Sequence, residues 1–363
     1  MLTSYPEILQ KIDLIKPVQY SKNRNFIDGD VSKLSPYISR GVISTLQVFK
    51  HIITKGYPFY KIEKFIQELA WRDYWQQIWI DKGTLINSDL KNKQDGVKNK
   101  LIPKAIVNAK TSIKAIDKSI EEFYKSGYIH NHLRMYIASL CCNVAKSHWK
   151  LPAQWMYYHL LDGDWASNAL SWQWVCGSNS HKLYYANQNN INKYCHSNQK
   201  NTFLDIEYHQ FSDLNIPSEL IEIQDLSLIT PLPKITDKIK IDIKKPTLIY
   251  NFYNLDPKWK ENVDANRILL IEPSVFENYP ISKKSIDFML KLSKNINNIQ
   301  LYVGEFEELK KITSDSKIYF KEHPLNNLYE GSEENRDWLL PCTEKYNSFF
   351  KYWKNCKKHL KSI

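Results

Sequence analysis

The spacing of apolar residues divides the chain into two parts with different predicted secondary structure. In residues 1 to about 200, apolar positions recur every three to four residues and glycine is sparse, which predicts helices. From about residue 246, short β-branched or aromatic runs alternate with helical segments, which is typical of βαβ units on a parallel sheet. Between them, residues 198–235 lose periodicity, turn acidic and end in T-P-L-P-K. We therefore predict an α + α/β fold.

The predicted elements and domains follow from these patterns. In the first part we predict helices over residues 62–80, 113–124, 131–146 and 155–161. In the second part we predict strands over residues 247–252, 267–271, 299–303 and 317–320, and helices over 282–294, 305–312 and 346–360. The predicted domains are an all-helical domain at 1–200, a linker at 201–240 and a small parallel-sheet α/β domain at 241–363.

Composition then excludes several classes of protein. The chain has 363 residues, of which 43% are hydrophobic and 25% charged, so wholesale disorder is excluded. No apolar run approaches the ~20 residues that cross a membrane, and the first residues show no secretory signal. The six cysteines form no CxxC pair and no metal-type spacing, so we expect reduced thiols. We predict a cytoplasmic protein with no membrane partner and no metal.

The positive charge is concentrated in the first part of the chain. The formal net charge is +11, but residues 1–200 carry +12 and residues 201–363 carry −1. Eight of the 11 tryptophans also lie in the first 200 residues. A compositional bias toward lysine would load both parts alike. The asymmetry therefore favours a basic, ring-rich surface on the first part, of the kind that binds nucleic acid.

The densest group of acids, amides and rings is D-G-D-W-A-S-N-A-L-S-W-Q-W, residues 162–174. The glycine between the two acids permits a tight turn and leaves both carboxylates able to accept hydrogen bonds. The residues concerned are Asp162, Asp164, Asn168, Trp172 and Trp174. One interpretation is a helix N-cap followed by buried tryptophans. The other is a pocket for a flat ring with polar edges.

A second motif, E-L-A-W-R-D-Y-W, spans residues 68–75. Glu68, Trp71, Arg72 and Trp75 are spaced i, i+3, i+4 and i+7, so they share one face of a predicted helix. Charged residues beside tryptophan are unusual in a plain core, because buried charges need partners. A pair of Glu68 with Arg72 beside core tryptophans is the simpler alternative.

Two further motifs are weaker taken singly. In H-N-H-L-R-M, residues 130–135, Asn131, Arg134 and Met135 share a helix face, and a lone histidine there is more often a satisfied helix residue than a metal ligand. In Y-S-K-N-R…D-G-D-V-S-K-L-S-P, residues 20–36, Ser32 and Ser35 precede a predicted helix. Such a helix start suits a phosphate, with an ordinary serine cap as the alternative.

In their order along the chain and in their spacing, the four motifs resemble the flavin-binding helical domain of the photolyase/cryptochrome family, over residues ~15–200. The resemblance implies an all-helical domain that binds FAD, whose reduced, light-excited flavin donates an electron to a pyrimidine dimer flipped out of DNA. It implies FAD as cofactor and leaves any antenna chromophore unspecified.

The resemblance also assigns roles toward FAD. For the FAD phosphates and ribityl chain it implies Tyr20, Arg24, Ser32 and Ser35. Beside the flavin and the acids it implies Arg72 and Arg134, and as acceptors from flavin ring and sugar groups it implies Asp162 and Asp164. Asn168 would face flavin N5, a position that is asparagine in photolyases, so it favours repair.

Toward the DNA lesion, the resemblance implies that Glu68 and Asn131 hydrogen-bond the dimer, that Met135 contacts it, and that Trp71 and Trp174 sandwich it. Asn131 stands where 6-4 photolyases carry histidine, so the implied lesion is the cyclobutane dimer. Trp172 and Trp149 match the proximal and middle members of the photoreduction chain of the family. The implied partner is DNA that contains pyrimidine dimers.

The chain departs from the family pattern at several positions. Ile106 aligns where the outermost tryptophan of the chain usually stands, and Val31 replaces a threonine in the phosphate loop. His132 replaces an arginine near the dimer, which predicts weaker binding to duplex DNA and makes single-stranded DNA a candidate preference. The α/β part follows the helical part instead of preceding it, and it loosely resembles the antenna domain of the family. We expect a monomer.

Three functions follow from these observations. The leading hypothesis is light-driven repair of cyclobutane pyrimidine dimers by a deoxyribodipyrimidine photolyase. A cryptochrome-like blue-light receptor without repair activity is the alternative that the departures favour. A basic helical nucleic-acid binder that has lost flavin is the third.

Overall fold

A computed structural model describes residues 1–234, 238–313, 316–341 and 344–361 of the chain. Two compact units are distinguished. Unit 1 comprises Met1–Ser21, Ser32–Asp81 and Ile229–Ile363, and unit 2 comprises Lys22–Val31 and Lys82–Leu228. These units do not follow the predicted boundaries at residues 200 and 240, because residues 32–81 group with the α/β part of the chain. Residues 235–237 of the predicted linker lie outside the described residues.

Helices make up most of the first 200 residues, as predicted. In chain order the helices of the described residues are α1 (Tyr5–Asp13), α2 (Pro17–Asn23), α3 (Ser35–Ser39), α4 (Thr45–Thr54), α5 (Phe59–Lys82), α6 (Lys104–Val107), α7 (Lys114–Ser126), α8 (Asn131–Ser139), α9 (Lys150–His159), α10 (Trp165–Val175), α11 (Gln188–Cys195), α12 (Pro273–Asn278), α13 (Lys283–Ser293), α14 (Phe306–Thr313) and α15 (Phe349–Leu360). Within the described ranges, no helix is both long enough and apolar enough to cross a lipid bilayer.

Helix α10 is the most enclosed helix of unit 2. Its side chains are buried except at Ser167, Ser171 and Trp174.

Helix α7 shows how the sequence ends a helix. Ile116, Ile120 and Phe123 are buried at helical spacing, and the helix stops at Gly127. Gly127 has φ of 69°, a left-handed conformation that glycine adopts without a steric cost.

The predicted helix at 131–146 is wrong in its second half. Helix α8 ends at Ser139, and Leu140–Val144 form a π-helical turn. The wider turn is closed by the Ala145 amide, which donates to the Leu140 carbonyl oxygen at 2.8 Å. An inserted π turn keeps the apolar residues buried but breaks the 3.6-residue period, so periodicity alone could not place the end of the α-helix.

The sheet of unit 1 has five parallel strands. They are β3 (Thr247–Tyr250), β4 (Asn266–Ile271), β5 (Ile299–Val303), β6 (Ile318–Lys321) and β7 (Ser332–Glu334), whereas β1 (Ile102–Pro103) and β2 (Ile223–Gln224) form a separate antiparallel pair in unit 2. The order across the sheet is β5-β4-β3-β6-β7. The chain thus builds one side of the sheet first and then crosses to the other side, as in doubly wound folds.

Burial explains which strands the sequence predicts. Every residue of β3 and β4 is buried, and both strands are near-continuous apolar runs, as central parallel strands usually are. The third residue of β3, Ile249, pairs with Ile268 on one side and with Phe320 on the other. Strand β7 is the polar run S-E-E and pairs only with β6. It has no apolar alternation, so the sequence analysis missed it.

A buried carboxylate of α5 connects helical segments of unit 1. The Thr45 hydroxyl donates to both oxygens of Asp73, at 2.9 and 3.0 Å, and the Leu339 amide donates to the same carboxylate at 2.8 Å. Residues 45 and 73 belong to the helical part, whereas residue 339 belongs to the C-terminal part. This carboxylate is one reason why residues 32–81 group with the α/β part.

We expect Asp73→Asn to remove part of the pH dependence of unfolding. Burial raises the pKa of Asp73 from 3.8 to about 6, so the folded chain binds this proton more tightly than the unfolded chain. The contribution of Asp73 to the free energy of unfolding therefore falls as the pH rises. The fall is roughly 2 kcal/mol between pH 4.5 and 7.5. Urea unfolding at both pH values measures it.

Asp287→Asn is the matched control for that measurement. Asp287 lies on the surface of α13, where its carboxylate is 2.7 Å from the Lys283 ammonium. We expect this variant to keep the decline in stability of the parent chain. A decline in Asp73→Asn equal to that of the parent would contradict the assignment of the proton to Asp73.

Candidate functional site

The residues singled out from the sequence fall in both units. Unit 1 holds Tyr20, Ser32, Ser35, Glu68, Trp71 and Arg72, and unit 2 holds Arg24, Asn131, Arg134, Met135, Trp149, Asp162, Asp164, Asn168, Trp172 and Trp174. In unit 2 the polar members cluster on α8, on α10 and on the turn that precedes α10. This cluster is the candidate functional site.

An ion pair between Arg134 and Asp162 lies at the centre of this cluster. Nη2 of Arg134 donates to both carboxylate oxygens of Asp162, at 3.0 and 2.8 Å, and its Nε donates to the carbonyl oxygen of Ile129 at 3.0 Å. The Asp162 side chain is 2% exposed. A carboxylate buried to this degree needs a charged, hydrogen-bonded partner, and Arg134 supplies it.

Asp164 begins helix α10. Its Oδ1 accepts a hydrogen bond from the Ser167 amide at 2.7 Å, and its carbonyl oxygen accepts one from the Asn168 amide at 2.9 Å. The interpretation of this acid as a helix N-cap is therefore confirmed. The acceptor capacity of a carboxylate exceeds this one capping bond, because each of its oxygens can accept two hydrogen bonds.

Asn168 lies one turn further along α10, and its amide has a fixed orientation. Nδ2 donates to the carbonyl oxygen of Ala153 in α9, at 2.8 Å, and the side chain is buried. With Nδ2 engaged in this way, Oδ1 is the atom through which Asn168 can accept a further hydrogen bond. Helix packing thus turns a buried amide into an acceptor of defined direction.

The tryptophans of unit 2 divide into buried and exposed ones. Trp172 and Trp149 are almost completely buried, whereas Trp174 is 41% exposed. Two residues along a helix correspond to about 200° of rotation, so Trp172 and Trp174 point to opposite sides of α10. The Trp174 ring centroid lies 6.0 Å from that of Tyr184.

One residue of this site had no signal in the sequence. The Nε1 of Trp149 donates to the Asp89 carboxylate at 2.8 Å, and the Nε2 of His148 lies 3.3 Å from the same carboxylate. Asp89 belongs to a lysine-rich loop without periodicity. Only the tertiary structure brings it to a tryptophan 60 residues away.

Helix α8 also positions the second group of candidates. Asn131 is its exposed first residue, and Met135 is half-buried one turn later. Between them, the Nδ1 of His132 lies 2.9 Å from the carbonyl oxygen of Asn25. Burial lowers the pKa of His132, the hydrogen bond to Asn25 raises it, and the nearby Arg24 lowers it, with a net shift downward.

In unit 1, the predicted helix face at 68–75 is confirmed, since these residues lie within α5. The ring of Trp71 does not stand open, however. It stacks on Phe349, the first residue of α15, with centroids 3.5 Å apart and planes inclined by 8°. One face of Trp71 is therefore covered by the C-terminal helix.

The charged residues beside Trp71 have partners within unit 1. Glu68 is ion-paired with Lys64, one turn earlier, at 3.0 Å. Arg72 donates to the hydroxyl of Ser39 at 2.6 Å. These contacts satisfy the expectation that charges beside buried tryptophans need partners.

The predicted helix start near Ser32 and Ser35 is confirmed, but its serine cap is wrong. Helix α3 begins at Ser35, and its N-cap residue is Leu34, which has no side-chain cap. The hydroxyl of Ser32 accepts a hydrogen bond of 3.4 Å from the Leu34 amide. Tyr20 packs edge-on against Phe65, with centroids 5.2 Å apart.

The described residues contain no group of three His, Cys, Asp or Glu side chains arranged for a metal ion. Their cysteines are free thiols, at positions 141, 142, 176, 195 and 356. Cys342 lies outside the described residues.

Comparison with known proteins shows which proteins the part of the chain that holds the candidate site is similar to. Residues 65–205 match the family model described as the FAD binding domain of DNA photolyase. The deoxyribodipyrimidine photo-lyase of Alkalihalophilus pseudofirmus is 27% identical over 177 residues, which are 46% of this chain and 36% of that protein. The photo-lyase of Streptomyces griseus is 29% identical over 161 residues, 44% of this chain and 35% of that one. The match thus spans about a third of the length of these relatives.

Two solved structures are also similar. A cryptochrome of Synechocystis sp. has a TM-score of 0.48 and 21% identity, and covers 53% of this chain and 43% of its own. A bacterial class III photolyase from Agrobacterium tumefaciens has a TM-score of 0.46 and 24% identity, and covers 53% of this chain and 42% of its own. The match to the FAD binding domain of DNA photolyase includes α8, α10 and the turn before α10, so the candidate site lies within a part of the chain that is similar to the flavin-binding domain of the photolyase/cryptochrome family.

Proposed function

We propose that this chain is a light-driven, FAD-dependent deoxyribodipyrimidine photolyase that splits cyclobutane pyrimidine dimers in DNA. The observation that carries the proposal is the cluster of unit 2, in which the Arg134–Asp162 pair, Asp164 and Asn168 lie within the part that matches an FAD binding domain. The curated relatives that match this part are named as photo-lyases, which supports repair over other uses of FAD.

The side chains of this cluster fit a flavin. A flavin presents N–H donors and carbonyl acceptors along one ring edge, and the cluster offers carboxylates, a guanidinium and an amide oxygen. Because Nδ2 of Asn168 is held by Ala153, its Oδ1 would accept from the N–H of flavin N5. Asp162 and Asp164 would accept from flavin ring and sugar groups, and Arg134 would balance their charge.

When bound, reduced FAD supplies the light absorption and the electron that opens the dimer. The chain itself would hold the dimer. Trp174 offers an exposed ring on which a flipped base can stack, as aromatic rings do in single-strand binding. Asn131 would hydrogen-bond the dimer, and Met135 would contact it from the same face of α8.

Buried tryptophans would serve the reduction of the flavin. We propose Trp172 and Trp149 as members of an electron path, since both are enclosed by protein and one is hydrogen-bonded to Asp89. The unit 1 residues keep the roles implied by the resemblance. Tyr20, Ser32, Ser35 and Arg72, with Arg24 of unit 2, are proposed for FAD, and Glu68 and Trp71 are proposed for the dimer.

Further expectations accompany the proposal. The α/β part is predicted to be an antenna-like domain whose chromophore is unspecified. The chain is predicted to act as a cytoplasmic monomer on lesion-containing DNA, with single-stranded DNA as the candidate preference because His132 stands where the family usually carries arginine.

The direct test is repair by the purified protein. With reduced flavin and blue light, we expect an oligonucleotide that carries one thymine dimer to regain intact thymines, as measured by chromatography. A dark reaction is the control. If no dimer is lost from either single- or double-stranded substrate while flavin is bound, the proposal of repair is wrong.

We expect Asp164→Ala to release FAD, because it removes a carboxylate that would hydrogen-bond the cofactor. The variant also loses a helix cap, at a cost of about 1 kcal/mol in the free energy of unfolding. Asn187→Ala is the matched control, since Asn187 caps α11 of the same unit by accepting from the Asn190 amide at 3.0 Å. Flavin absorbance after gel filtration measures retention. Equal retention by the two variants would remove Asp164 from the proposed site.

We expect Trp174→Ala to weaken binding of the dimer by ~1–3 kcal/mol through lost stacking, and to leave FAD bound. Trp174→Phe keeps a ring and should retain most of the affinity. Fluorescence anisotropy with lesion-containing and undamaged oligonucleotides provides the comparison. An unchanged preference for the lesion in Trp174→Ala would refute this role.

A blue-light receptor of the cryptochrome type is the alternative, and one observation favours it. Phe349 covers a face of Trp71, a ring that the resemblance assigns to the dimer. A chain that changes its flavin in light but leaves dimers intact would select this function. Trp71→Phe keeps the stack on α15, so it separates a loss of dimer binding from a loss of packing better than Trp71→Ala does.

A further inference from the structure

The loop before β1 and the residues around Trp149 form a strongly basic surface in unit 2. The loop spans residues 88–101, and it is joined by residues 146–150. We call this the basic loop surface, and its lysines are Lys91, Lys93, Lys98, Lys100, Lys146 and Lys150. Five of the six are exposed, and Lys146 is half-buried.

The loop has a defined conformation. The buried side chain of Gln94 donates to the carbonyl oxygen of Ser147 and accepts from the Trp149 amide, both at 2.9 Å. Backbone hydrogen bonds of 2.8 Å join Lys98 to Lys146 and His148 to Asn99. The lysine positions are thus held by a frame of hydrogen bonds, so less conformational entropy is lost when a ligand binds.

These lysines are not held in ion pairs by the protein. Within the described residues, none of the six forms an ion pair, whereas Lys104 just beyond the loop pairs with Glu222 at 3.3 Å. Asp89 is already engaged by Trp149 and His148. Burial lowers the pKa of Lys146, the Asp95 carboxylate of the same loop raises it, and the neighbouring Lys98 lowers it.

The surface also lacks the apolar centre that a protein partner would need. Within residues 88–101 and 146–150, all of them described, no large hydrophobic side chain is exposed. Protein interfaces have a desolvated apolar core, whereas interfaces with nucleic acid are polar and strongly positive. Lysines along an extended loop match the repeated negative charge of a phosphodiester backbone.

The loop is hydrogen-bonded to the segment that follows the exposed Trp174. Nδ2 of Asn92 donates to the carbonyl oxygens of Gly177 and Ser180, at 3.3 and 3.1 Å, and the Ser180 hydroxyl donates to the carbonyl oxygen of Trp174 at 2.9 Å. The basic loop surface therefore begins close to an aromatic platform. Rings beside a positive track are the recurring design of surfaces that bind single strands.

We propose that the basic loop surface binds the phosphodiester backbone of DNA, without regard to sequence or lesion. The choice of DNA over RNA rests on the proposed function. The contact itself does not, because it requires neither flavin nor a dimer. It would hold the strand on unit 2 while a base reaches Trp174.

The test uses the quadruple variant K91Q/K93Q/K98Q/K100Q of the full chain and an undamaged single-stranded oligonucleotide. Fluorescence anisotropy over a salt series gives the affinity and its salt dependence. We expect a loss of at least tenfold in affinity at low salt. The slope of log K against log salt should fall in magnitude by roughly 3, since each lost phosphate contact contributes about 0.7 on single strands.

K110Q/K114Q/K118Q/K200Q is the matched control, because these four exposed lysines of unit 2 lie outside the loop and give the same change in net charge. Flavin absorbance reports that both variants are folded. A control that loses as much affinity and slope as the loop variant would overturn the proposal. So would loop substitutions that abolish binding to phosphatidylserine vesicles and leave DNA binding intact. If repair fails but the loop variant alone binds undamaged DNA weakly, the inference stands while the proposed function falls.

Discussion

The ion pair of Arg134 and Asp162 is the contact on which the site of unit 2 depends. It ties α8 to the turn before α10, and it does so with a carboxylate that is almost fully buried. Such a charge is tolerated only with a partner in good geometry, so removing either residue would leave the other charge stranded. The pair therefore fixes where Asp164 begins α10 and where Asn168 can present its oxygen.

Helix α10 carries the side chains that the Arg134–Asp162 pair helps to position. Its N-cap is a carboxylate, its first full turn carries an amide held by α9, and its last turn carries one buried and one exposed tryptophan. Because Trp172 and Trp174 point to opposite sides, one short helix separates the enclosed interior from a surface ring. The lysines of the adjoining loop then add positive charge to that surface, and within the described residues they form no ion pairs.

Unit 1 shows how far the helical part and the α/β part of the chain depend on each other. The buried Asp73 of α5 receives hydrogen bonds from Thr45 and from Leu339. Trp71 of the same helix stacks on Phe349 of the C-terminal helix. A division at residue 200, which the change in periodicity suggests, would separate Asp73 from Leu339 and Trp71 from Phe349. Side-chain contacts across long sequence distances thus decide the unit.

The sequence by itself determined the kinds of element and the chemistry of the motifs. Apolar runs identified β3 and β4, helical spacing identified α5 and α7, and the D-G-D turn indicated a helix cap at Asp162 or Asp164. These signals are local, because periodicity and capping act over one or two turns. The tertiary structure alone decided the π turn at 140–144, the polar edge strand β7, the bond from Trp149 to Asp89 and the cover of Trp71 by Phe349. Each of these depends on packing between distant segments, and no local pattern records such packing.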